Sequence, residues 1–177
     1  MTLEAIYYVT QIIAVGAILA SLVAIWFQMR QSTKMARASA QREILDRASQ
    51  FNRGLTDFEQ FDHFLLGLSA GDTAPLASRI AMEHHLIEFA AITEAAMSMH
   101  RDGFFSDGTW NGIESTMLGL LRTPGGALWW QSARNIVGTD VARHLSGRLA
   151  ETDASAPTFL DFLPSYRLRI ADLTGKA

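Results

Sequence analysis

The stretch YYVTQIIAVGAILASLVAIWF, residues 7–27, decides how the rest of this chain is read. From Ile6 to Phe27 no residue carries a charge. A helical rise of about 1.5 Å per residue carries that run about 33 Å, enough to cross a hydrocarbon layer of about 30 Å. A core helix in a globule of 177 residues would be shorter and would carry a polar stripe, whereas only Thr10, Gln11 and Ser21 interrupt this surface. Tyr7 and Tyr8 at one end and Trp26 at the other stand where amphipathic rings favour the headgroup level. A secretory signal needs a basic leading region, and here Glu4 precedes the run with no Lys or Arg. The Ala38-Ser39-Ala40 triplet resembles a cleavage site but falls too far beyond the apolar run. Residues 1–27 therefore read as an uncleaved transmembrane anchor, with the lipid bilayer as its partner.

The flanks give an orientation. Arg30, Lys34, Arg37 and Arg42 all precede Glu43, the first acid after the span. Basic residues stay on the cytoplasmic side, which predicts a short N-terminus outside and a cytoplasmic body, with these four residues touching lipid headgroups or a partner. Within the span, Gly16, Ala20 and Ala24 recur every four residues, and Ala17 and Ser21 repeat the spacing one position along. Small side chains let two helix backbones approach closely in lipid, where no hydrophobic drive brings helices together. This face predicts a homo-oligomer or a place within a larger membrane complex.

The remaining residues suffice for one domain with a core. Strand-like alternation is nearly absent and helical spacing recurs, so the predicted fold is all-α: an N-terminal transmembrane helix continuing into a stalk helix, then a small helical bundle. The stalk, 28–55, has no Pro or Gly before Gly54, and Ile44, Ala48, Phe51 and Leu55 form one apolar stripe. It holds six bases against two acids, while 56–102 holds two bases against eight acids. The whole chain carries a net charge of −3, which disfavours nucleic acid as a partner.

The cytoplasmic helical domain spans 56–150. A short helix over 57–68 leads to a turn in which Asp72 or Thr73 caps a long helix with Pro75 in its first turn. On that helix, 75–100, Met82, Leu86, Phe89, Thr93 and Met97 share one face, and Ile80 and Ile87 nearer the polar side predict cover on a second side. Ser106 or Asp107 caps the next helix, 108–121, with Trp110, Ile113, Met117 and Leu120 inward. Thr123-Pro124-Gly125-Gly126 reads as a break before two shorter helices, 127–137 and 140–149. Residues 151–177 form a linker and an apolar tail, FLDFLPSYRLRI, broken at Pro164 and expected to dock.

Catalytic patterns are scarce. There is no cysteine and no Gly-x-Ser-x-Gly elbow, and the Thr123–Gly126 stretch lacks the Lys-Ser/Thr of a phosphate loop. Glu83, His84, His85 and Glu88 could hold a divalent metal, since His and Glu three or four apart on a helix can converge. Both the His-Glu-x-x-His pattern and paired Glu-x-x-His patterns are missing. The competing reading makes His84 an i, i+4 partner of Glu88 and His85 a hydrogen-bonded core histidine. Trp129 and Trp130 point about 100° apart, so one is expected in the core, while the other lines a groove, meets a subunit neighbour or the membrane surface, or packs beneath the C-terminal segment; Trp110, Trp129, Trp130 and Arg134 are the candidates for such a groove or interface.

An uncleaved span running into a basic helical stalk, a helix closing in Arg101-Asp102-Gly103-Phe104, then Trp110 and a later Trp129-Trp130-x-x-x-Arg134 resemble uncharacterised bacterial single-pass proteins grouped as domains of unknown function. The resemblance covers roughly residues 6–149 and implies a bacterial inner-membrane protein with a helical cytoplasmic domain. It transfers no catalytic residue. The expected function is that of a membrane-anchored interaction protein, self-associating or an accessory subunit, without an expected cofactor and leaning away from enzymatic activity. The alternatives are a metal-binding enzyme or sensor on Glu83, His84, His85 and Glu88, and a receptor for an apolar molecule in a groove lined by Trp129 or Trp130 and methionines.

Overall fold

The computed structural model describes residues 3–54, 57–153 and 155–175, and the described residues are all-helical, without a strand. The α-helices are α1 (Leu3–Gly54), α2 (Phe58–Ala70), α3 (Leu76–Arg101), α4 (Asp107–Leu121), α5 (Pro124–Ala133), α6 (Thr139–Glu151) and α7 (Pro164–Thr174). Short 3-10 turns lie at Gly71–Thr73 and Phe159–Asp161. The chain divides into two compact units, Met1–Ala40 and Gln41–Ala177, and α1 contributes residues to both.

The first unit is helix without a core. Every described large apolar side chain from Ile6 to Phe27 is at least half exposed. The most apolar window of this helix has a mean hydropathy of 2.2, and by length and composition it could cross a membrane. Two of its hydroxyl side chains bond to their own backbone: Thr10 Oγ1 donates to Ile6 O at 2.7 Å and Ser21 Oγ to Ala17 O at 2.8 Å. Such bonds let a hydroxyl sit in an apolar medium without a solvent partner.

The second unit has a continuous apolar core. From α1 it receives Ile44 and Phe51, 1% and 4% exposed, with Ala48 half-buried between them. Leu55, the last position of the expected stripe, lies outside the described residues. Along α3, the predicted inward residues Met82, Leu86, Phe89, Thr93 and Met97 are all buried. α2 lies along α3, while α5 is faced by α2, α3, α4 and the first 3-10 turn. Two glycines permit that approach. A Cβ on Gly67 would stand 2.5 Å from Ser78 O and 2.6 Å from Met82 Cβ, and one on Gly125 would strike Gly67 O and come within 2.5 Å of Met82 Sδ.

Four local expectations are corrected. Pro75 is itself the residue preceding α3 and no side chain caps that helix, because Asp72 and Thr73 belong to the 3-10 turn. Thr123-Pro124-Gly125-Gly126 starts α5 rather than only breaking the chain: Thr123 Oγ1 accepts from Gly126 N at 3.1 Å, and Pro124 occupies the first turn, where a missing N–H costs nothing. Pro164 likewise opens α7, so the tail is helical. Ile80 and Ile87 are 57% and 50% exposed, so neither is covered as expected among the described residues.

The linker and tail are fastened by polar contacts. The Arg122 guanidinium donates to Asp153 O at 2.9 Å, to Pro157 O at 3.0 Å and to Ala156 O. Thr158 N and Oγ1 donate to Asp161 Oδ2 at 2.8 and 3.0 Å, closing the second 3-10 turn. Arg169 then grips Asp62 of α2 through two parallel bonds, Nε to Oδ1 at 2.8 Å and Nη2 to Oδ2 at 2.6 Å. Phe159 packs its ring against Phe64 and Tyr166, and Tyr166 in turn meets Phe61.

Candidate functional site

On the first unit, Gly16, Ala17, Ala20, Ser21 and Ala24 are all exposed, and a Cβ on Gly16 would meet nothing within 4 Å. The close-approach face is thus present on α1 and uncovered within the chain. Arg30 lies over the Trp26 ring at 5.0 Å, a cation–π contact at the end of the apolar run, and Lys34, Arg37 and Arg42 are exposed further along α1.

The Glu83/His84/His85/Glu88 group does not converge. His85 is 7% exposed, its Nδ1 lies 2.7 Å from Ala81 O, and its ring packs against Phe51 and Phe64. That is the hydrogen-bonded core histidine of the competing reading. Glu83, His84 and Glu88 are exposed, and His84 forms no ion pair with Glu88 among the described residues. Instead, the His84 ring stands edge-on to that of His85, with centroids 6.1 Å apart. Among the described residues, no three His, Asp or Glu side chains are grouped as metal ligands would be.

Trp110 proves to be the centre of a polar cluster that the sequence reading missed. It is 6% exposed, stacked on His100 at 5.7 Å and 11°, with His144 on it at 5.7 Å and 53°. Glu114, also 6% exposed, accepts at Oε1 from His144 Nε2 at 2.6 Å and from Arg148 Nε at 3.2 Å. A buried carboxylate needs such partners, and these two, one turn apart on α6, tie α6 to α4. The signal was available: Glu114 falls between Trp110 and Met117 on the apolar face of α4, where a carboxylate calls for a cation.

Trp129 and Trp130 are both buried, at 9% and 7% exposure, because α5 has neighbours on several sides rather than one. Of the alternatives for the second indole, burial within the body is the one seen. Even so, Trp129 and Met82 line a groove of about 430 Å³ between α3 and α5, rimmed by the exposed Ile87, Leu128 and Ile136. Trp130 does not line it, and Arg134 is an exposed residue ending α5.

The electrostatic signature of the second unit lies in its fasteners. The hydrogen bonds from Arg169 hold the Asp62 carboxyl below the usual range, despite opposing desolvation. The Thr158 backbone N–H, aided by Arg167, does the same for Asp161. Arg101, 2.8 Å away, lowers Asp140, and burial raises the Tyr166 phenol. Asp62 and Asp161 fasten the tail, and Asp140 joins α6 to Arg101 at the end of α3. No family model, curated protein or solved structure matches the chain.

Proposed function

We propose that this chain is a membrane-anchored helical interaction protein that self-associates through its N-terminal span. The observation that carries this reading is the run from Ile6 to Phe27, whose apolar side chains find no cover within the chain while Gly16, Ala20 and Ala24 present a low, uncovered face. In this reading the span crosses a bacterial inner membrane with its N-terminus outside. Arg30, Lys34, Arg37 and Arg42 meet anionic headgroups, and the body is cytoplasmic. The rival is the role of an accessory subunit in a larger membrane complex.

The test is the mass of the particle extracted in mild detergent, with all co-purifying chains identified. A discrete homo-oligomer that dissociates in the Gly16→Leu and Ala20→Leu variants supports the proposal. A single copy among other chains makes the protein an accessory subunit, and a lone monomer unaffected by either substitution removes the proposal.

A further inference from the structure

The groove between α3 and α5 has an unusual combination of walls. Met82, Ile87, Leu128, Trp129 and Ile136 make most of it apolar, beside the neutral polar Gln131 and Ser132, and its volume of about 430 Å³ falls within the range of small-molecule sites. One cation lines it: Arg79, on the first turns of α3. The Nε of Arg79 is buried without a hydrogen-bond partner, and its guanidinium has no ion pair among the described residues. This contrasts with Arg101, Arg122, Arg148 and Arg169, whose guanidinium groups are all engaged. A buried donor without an acceptor is costly, and a guanidinium offers two parallel N–H groups to a carboxylate. Glu83 shares the wall one turn further along, but it is exposed, forms no ion pair with Arg79 among the described residues, and leaves the Arg79 Nε without an acceptor.

We propose that this groove binds a small apolar carboxylate, a single-chain acid whose tail lies on Leu128, Trp129 and Ile136 and whose head is taken by Arg79. The long Arg79 side chain turns its Nε edge toward the groove and gains the acceptor it lacks. A neutral tail of equal length receives the apolar contact alone, so the head group decides affinity. The site is independent of self-association, since every wall residue belongs to the second unit.

The experiment is calorimetric titration of the full chain in lipid nanodiscs with octanoate and with 1-octanol, subtracting empty nanodiscs. The expected result is saturable binding of one octanoate per chain, at least about tenfold tighter than octanol. Arg79→Gln removes that difference and leaves octanol binding unchanged. Ile136→Glu, at a residue 74% exposed and therefore safe for folding, weakens octanoate by placing a like charge at the rim. No saturable octanoate signal, equal affinity for acid and alcohol, or an Arg79→Gln variant with wild-type preference overturns the proposal. Capture of an acidic peptide with octanoate excluded does so too.

Discussion

Leu19 and Leu86 are the same side chain in the same secondary structure, yet Leu19 is 58% exposed and Leu86 is fully buried. The difference between the two units is therefore one of cover within the chain. In Gln41–Ala177 apolar area is removed from water by the chain itself, whereas in Met1–Ala40 the chain leaves that task to something else. Length makes α1 a helix in either medium, but only burial gives the second unit a specific tertiary structure.

That contrast can be broken most sharply with glycine. Gly125→Ala drives a methyl group into the Gly67 carbonyl and the Met82 thioether, and backbone on backbone cannot yield cheaply. We expect a loss of about 3 kcal/mol or more in the body, read by denaturant unfolding followed through tryptophan fluorescence. Gly16→Ala, with open space around it, should leave the same transition unmoved. Leucine comes next: Leu86→Ala should cost about 2–5 kcal/mol, and Leu19→Ala should cost the body nothing measurable.

A smaller effect belongs to the polar joint between α4 and α6. Glu114→Gln removes the charge that His144 and Arg148 both address, and we expect about 1–3 kcal/mol, checked by the same unfolding curve. The smallest concerns the tail. Asp62→Asn should cost about 1 kcal/mol or less, since Arg169 remains well exposed, and the loss should appear as faster hydrogen exchange of α7 amides. The pH dependence has a definite sign. Asp62 and Asp161 titrate lower in the folded protein than in the unfolded chain, so their stabilisation is complete above the ordinary carboxylate value of about 4. It is lost as the pH falls from there through the lowered folded values. Acid should release α7 before it disturbs the apolar core, and Asp62→Asn should blunt that response.

Much of this architecture was legible because it rests on periodicity. The face Met82, Leu86, Phe89, Thr93 and Met97 follows from 3.6-residue spacing, and Ser106 caps α4 through Thr109 N as its residue type suggests. What was illegible depended on neighbours. Whether Ile80 and Ile87 are covered, or both tryptophans buried, is decided by elements far away in sequence, which a helical wheel does not contain. The candidate groove was half visible: Trp129 and the methionines were named, but Arg79 stood out only once its Nε was found without an acceptor. Prolines 124 and 164 misled for a related reason, since a residue that ends one helix can equally begin another.

The Arg122 clamp carries a consequence for how this protein can vary. Its acceptors at Asp153, Ala156 and Pro157 are all main-chain carbonyls, which every amino acid supplies. The joint recognises the path of the chain and ignores its spelling. Ala156 can be exchanged for another small residue without changing the atoms that Arg122 reads, while Arg122 itself is irreplaceable: a lysine ammonium lacks the planar fork that spans three carbonyls. Variation is thus free on one side of the contact and forbidden on the other.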